Sequence, residues 1–107
     1  MPNAPSRKRR SKRHAWRAPV VVTWQASGGV RVREQAETEV VNAHGALLTL
    51  DATLRSGKQV DLFDPRSHQS KTARVVSSTR DPKKNKAHAG VELDTPSDTF
   101  WGLSLPF

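Results

Sequence analysis

The sequence predicts an all-β chain: a small antiparallel β-barrel of six to seven strands, preceded by a flexible basic N-terminal arm. Two observations predict the strands. Short β-branched runs recur from Pro19 onward, and Gly, Asp, Asn, Ser and Pro punctuate them at near-regular spacing. A third observation is negative, in that no stretch offers a good place for a helix. Six or seven short strands favour a closed barrel or sandwich, because closure leaves no unpaired sheet edge. At 107 residues the chain fits one domain, and a domain of this size can bury a core without metal or disulfide support.

Residues 1–12 read as the arm and residues 13–107 as the barrel domain. Pro2, Pro5 and the crowded cations argue against fixed structure at the start, since like charges repel and little apolar area offsets the entropy of ordering. Residues 20–24 form the first strand, and Ser27, Gly28 and Gly29 supply the positive φ of a tight hairpin. Residues 30–34 return beside it, and residues 37–41 make a further extended stretch. A break at residues 42–45 precedes an apolar strand over 46–50. Ser56 and Gly57 mark the next turn. Residues 59–63 then alternate, with Val60 and Leu62 on one side, until Asp64, Pro65 and Arg66 end the strand. Residues 72–79 and 89–93 complete the set around a loop at 81–85, where Lys83, Lys84 and Lys86 read as a solvated hairpin tip. The tail with Phe100, Trp101, Leu103 and Leu105 is expected to cap the barrel, because each large aromatic left in water forfeits roughly 1.5–3 kcal/mol.

Charge is distributed unevenly. Seven of the eighteen Lys and Arg lie within residues 1–18, where there is no acid, leaving eleven cations against ten carboxylates in the body. The formal charge of +8 thus belongs almost wholly to the leader. Such a leader suits an anionic partner: a nucleotide, a nucleic acid or an acidic membrane surface. Nonspecific nucleic-acid binding through the arm needs only clustered cations.

The chain has no cysteine, which excludes disulfides and thiolate chemistry. His14, His44, His68 and His88 stand far apart without metal-site spacing and read as solvated loop residues. No catalytic residue, metal site or cofactor is expected. No apolar run approaches the roughly 20 residues that span a bilayer, and no secretory signal follows the basic start, so the expected location is cytoplasmic.

Arg9, Arg13 and Arg17 recur every fourth residue, with Arg10 among them, and the series stops just before Pro19. A guanidinium forms paired hydrogen bonds to phosphate or to a guanine edge and also stacks on a purine. The same arginines also read as a solvated tail with generic affinity for polyanions. Trp16, among them, reads equally as a base-stacking platform or as an anchor of the arm to the barrel. Trp24 and Trp101 read as core aromatics.

Several separated features together resemble the PilZ domain family: the Arg-x-x-x-Arg leader, the segment from Glu39 through Asn42 and Gly45 to Ala46, Gly57, Ala73-Arg74-Val75-Val76, Ala89-Gly90-Val91-Glu92-Leu93 and the closing Phe100-Trp101. The resemblance spans roughly residues 9–101 in the expected order. It implies a six-stranded barrel in bacterial second-messenger signalling that binds cyclic di-GMP, held between leader arginines and an Asp/Asn-x-Ser-x-x-Gly motif. Carried over to this chain, the ligand-binding residues are Arg9, Arg10, Arg13, Arg17, Asn42 and Gly45.

The motif departs from the family in one place that matters. Gly45 holds the glycine position and Asn42 the serine position, but Val40 stands where the family has Asp or Asn, and valine accepts no hydrogen bond. The hairpin also reads as a plain turn with glycine at positive φ. Either Arg9 with Arg13 or Arg13 with Arg17 fits the leader's pair. The competing expectation is a degenerate PilZ-like adaptor that has lost the nucleotide and acts through an unknown downstream protein.

Overall fold

The computed structural model describes residues 12–106. The expected arm therefore lies outside the described residues except for Lys12, and Arg9 and Arg10 lie outside them too. Seven strands follow: β1 (His14–Ala15), β2 (Pro19–Gln25), β3 (Arg31–Asn42), β4 (Gly45–Leu50), β5 (Gln59–Asp64), β6 (Gln69–Asp81) and β7 (Lys86–Leu93). All pairings are antiparallel. The order β3-β2-β5-β6-β7-β4 closes through pairing of β4 with β3, giving a six-stranded barrel to which β1 adds as a short extra strand along β3. Among the described residues there is no α-helix, only one 3-10 turn at Ser27–Gly29, where Gly28 and Gly29 take φ of 75° and 80°. That is the positive φ expected of the first hairpin.

Alternation along each strand fills the barrel, and side-chain sizes are matched across it. Leu48 lies opposite Ala89, Leu50 opposite Ala87, Val60 opposite Ala73 and Val20 opposite Ala36. All eight are buried. Small residues facing large ones relieve crowding at these four pairs, whereas Val22 with Leu62 and Val75 with Val91 set two buried branched side chains opposite each other. Gly57, the expected turn glycine between β4 and β5, donates its N–H to the Val75 carbonyl at 2.7 Å.

Two expectations are corrected. Residues 30–34 and 37–41 are not separate stretches but one long strand, β3, whose register shifts between Thr38 and Val40. The ladder to β2, with Gln35 opposite Val21 and Ala36 opposite Val20, carries the chain through the expected break, and the bulge beyond them bends the strand toward β4. The histidines are not all loop residues: His14 lies in β1 and His88 in β7.

The tail caps one end, as expected. Phe100, Trp101 and Leu105 are buried there, and the two aromatic rings pack edge to face with centroids 4.8 Å apart. Trp101 joins three segments. Its indole N–H donates to the Asn42 carbonyl at 3.2 Å, and its own carbonyl accepts from the Trp16 indole at 2.9 Å and from Arg66 at 3.1 Å. Arg66 also meets Asp64, a buried carboxylate that accepts from the Arg66 N–H at 2.8 Å and the Ser67 hydroxyl at 3.1 Å. Burial pushes the Asp64 carboxyl up, but these hydrogen bonds and the Arg66 charge outweigh it and hold the group below its ordinary range.

Candidate functional site

β1 runs antiparallel to the end of β3, with His14 opposite Val41 and Ala15 opposite Val40. One step further along that register, Arg13 comes beside Asn42. Between β1 and β2 the ladder is interrupted, and Thr38 fills the gap. Its fully buried hydroxyl donates to the Trp16 carbonyl and accepts the Ala18 N–H at 2.9 Å, while the Trp16 N–H reaches the Glu39 carbonyl at 3.1 Å. Trp16 is therefore an anchor, half-buried against the core with its indole N–H engaged by Trp101.

The turn from β3 to β4 is built by Asn42. Its side-chain oxygen accepts the N–H groups of His44 at 2.8 Å and Gly45 at 3.0 Å, which is the reason an Asx residue suits this position. The end of β7 and the segment after it hold the turn from outside: Leu93 N–H donates to the His44 carbonyl and Ser97 N–H to the Ala43 carbonyl. Gly45 does not adopt the positive φ of a plain glycine turn. Glycine is required because a Cβ would overlap the Val91 carbonyl oxygen and lie 3.2 Å from the Glu92 Cα, so the close approach of β7 fixes the residue type.

These elements surround a groove of about 270 Å³ on the outer wall, lined among others by Arg13, Val40, Asn42, Gly45, Val76 and Glu92. Register sets its floor. Asn42, Gly45 and Glu92 form one row across β3, β4 and β7, and Val40, Leu47 and Gly90 form the next. A second bulge, between Val75 and Ser77 of β6, lies opposite Gly90, and Val76 beside it stands 54% exposed. Bulges redirect side chains where a ladder is broken, and both bulges here flank the groove.

Of the residues singled out from sequence, the structure brings Arg13, Asn42 and Gly45 together on this groove. Arg17 is elsewhere. It pairs with Glu37 at 2.7 Å, both side chains being more than half exposed, and does not line the groove. Such an exposed pair contributes at most about 1 kcal/mol. Arg17 points away because the tied-in Trp16 and Ala18 on either side of it face the barrel.

Sequence reasoning missed a polar cluster on the same wall. His88 Nδ1 lies 2.9 Å from the Glu39 carboxylate, to which the Thr49 hydroxyl also donates. Its signal was the period-2 alternation that puts Thr49 and His88 outward as direct partners. The cluster is not a nucleophile relay: Thr49 and Glu39 both approach the same ring nitrogen, whereas a relay uses the two nitrogens in series. Glu92, in the groove, was missed as well. At the other end of the barrel, Lys86 is not purely solvated but pairs with Asp51 at 2.6 Å; that bond and its charge lower the Asp51 pKa and raise that of Lys86.

Among the described residues, no three His, Asp or Glu cluster as a metal site, and no helix is long and apolar enough to cross a membrane. Fold and groove define a small closed antiparallel barrel with a cationic and an anionic side chain on one recessed outer face. No family model matches the chain, and no curated protein matches it.

Proposed function

We propose that this chain is a PilZ-like signalling module, cytoplasmic and non-enzymatic, that binds cyclic di-GMP in the outer groove. One observation carries the proposal. Arg13, Asn42 and Gly45, separated by about thirty residues of sequence, line a single recess. A guanidinium beside a recess floored by glycine and valine suits a phosphate next to a flat purine, since arginine forks onto phosphate and small residues allow close approach. Arg9 with Arg13 is then the functional pair, because Arg17 is engaged by Glu37. Isothermal titration with cyclic di-GMP tests it. The expected result is micromolar binding that Arg13→Ala weakens; no heat at about 100 micromolar protein eliminates the receptor.

The apolar side chains of Val40, Leu47 and the exposed Val76 favour a second reading, a degenerate adaptor whose groove takes a protein segment. In that case wild type gives no heat and Val40→Asp creates nucleotide binding. Tight binding unchanged between the two forms argues against the adaptor.

A further inference from the structure

Three loops meet at the end of the barrel away from the β3–β4 turn, and they gather its cations. Arg31 and Arg33 follow the β2–β3 hairpin, and Arg55 and Lys58 lie between β4 and β5. Arg80, Lys83, Lys84 and Lys86 form or flank the β6–β7 turn. The carboxylates there are Glu34, Asp51, Asp61 and Asp81, four against eight cations. Of the eleven cations and ten carboxylates after residue 18, that leaves three and six for the rest of the barrel and the tail. The near-neutral body is therefore polarised, positive at the loops and negative elsewhere. β6 alone has 13 residues, roughly 40 Å at about 3.3 Å per residue, several times the Debye length of about 8 Å, so the two ends do not screen each other.

Hydrogen bonds tie the three loops into one platform. Arg80 reaches the Asp51 carbonyl and the Thr53 hydroxyl, both at 2.9 Å, and the Asn85 side chain at 2.8 Å. Glu34 accepts the Ala52 N–H at 3.2 Å, and Lys58 donates to the Gln25 carbonyl at 2.6 Å. Arg31 is held by Asp61 and Lys86 by Asp51. Arg33, Arg55, Lys83 and Lys84 are exposed and have no carboxylate partner among the described residues. Beside these cations Val30 stands 60% exposed at the tip of the β2–β3 hairpin. Ala26 N–H bonds to the Val30 carbonyl at 2.6 Å and Gly29 N–H to the Ala26 carbonyl at 3.2 Å, so the tip is held in that exposed position.

We infer that this loop end docks on an anionic lipid surface, with Arg33, Arg55, Lys83 and Lys84 at the headgroup phosphates and Val30 in the acyl boundary beneath them. A bilayer interface offers phosphate and hydrocarbon side by side, which is what free cations around an exposed valine match. A nucleic acid would use the cations and leave Val30 idle, and the three loops contain no aromatic residue to stack on a base. The outer groove lies toward the opposite end, beside the β3–β4 turn, so docking leaves it uncovered and does not depend on a nucleotide filling it.

Flotation of the full chain with vesicles of phosphatidylcholine, alone or with phosphatidylglycerol in equal parts, tests the docking, with short duplex DNA at the same salt as the competing partner. The chain has no cysteine, so an environment-sensitive dye is placed singly at Val30→Cys or, toward the other end of the barrel, at Ser70→Cys. Anionic vesicles are expected to float the chain and blue-shift the dye at position 30 but not at position 70; phosphatidylcholine alone is expected to do neither. Arg55→Gln with Lys84→Gln, both exposed and outside the ion pairs, is expected to weaken binding by about 25-fold, about fivefold for each cation. Val30→Ser is expected to weaken it by up to about tenfold. Lys8→Gln with Arg10→Gln measures the leader's own attraction to anionic lipid. If the leader pair abolishes flotation, or the dye at position 30 stays silent while the chain floats, the leader is the anchor and the inference falls. If DNA binds more tightly than the vesicles and Val30→Ser changes neither, the partner is a nucleic acid and the lipid assignment is overturned. Absence of flotation overturns it as well.

Discussion

The indole N–H of Trp16 donates to the backbone carbonyl of Trp101 at 2.9 Å, across 85 positions of sequence. Trp101 in turn holds the Asn42 carbonyl. The leader, the β3–β4 turn and the tail are therefore one assembly. Trp16→Phe, which removes the bond and keeps most of the ring, is expected to cost about 1 kcal/mol by urea denaturation. Trp101→Ala, which empties a buried site, is expected to cost about 3–5 kcal/mol.

Thr38 offers a sharper test of the leader's attachment. Its buried hydroxyl serves the Trp16 carbonyl and the Ala18 N–H at once. Thr38→Val keeps the shape and leaves both groups without that partner, so a loss of about 1–3 kcal/mol is expected, with faster amide exchange at Ala18. Thr38→Ser should restore most of it.

Gly45→Ala tests close approach rather than backbone freedom. The added methyl meets the Val91 carbonyl, which is backbone of a paired strand and cannot rotate away. A loss of about 1–3 kcal/mol or more is expected. At Gly28, where a Cβ meets nothing within 4 Å but φ is 75°, the same change should cost about 1–2 kcal/mol, set by the left-handed backbone alone. Thermal denaturation of the two variants ranks them.

Asp64 gives the barrel an acid limit. Its carboxyl titrates below the ordinary 3.8 when folded, so the unfolded chain takes up its proton first as pH falls. The stabilisation is complete above that ordinary value and is lost as pH drops through the lower folded one. Stability measured by urea denaturation from pH 7 to pH 2.5 should fall in the acid range, and Asp64→Asn should start lower and fall less steeply. An identical slope in both proteins counts against this carboxyl as the source.

Arg13 and Arg17 are expected to part company in ligand titrations. Arg13→Ala should weaken cyclic di-GMP binding by about tenfold or more, the loss of a charge-assisted contact worth about 1.5–3 kcal/mol. Arg17→Ala should change it little. Equal losses would show that the Glu37 pair does not hold Arg17 away from the ligand.

Much of the barrel was legible in the chain because its strands alternate cleanly. Val60 and Leu62 declared an inward face that the structure keeps. β3 was harder to read, since Gln35 and Ala36 look like a break and only the ladder to β2 carries the chain through them. Asn42 and Gly45 stood out by residue type, although the glycine proved necessary for its approach to β7 and not for its turn. Arg17 misled because periodicity along a leader says nothing of which carboxylate waits beside it. Glu92 was invisible for a related reason: only cross-strand register, set some fifty residues away, puts it opposite Gly45.

The brace from Trp101 to Asn42 also has a consequence in time. A growing chain that has completed β4 already contains Arg13, Asn42 and Gly45, yet it lacks β7 to floor the recess and the indole to steady the turn. The complete recess is therefore assembled late in synthesis, and under the proposed receptor reading fragments released before Trp101 are expected to be silent whatever strands they contain.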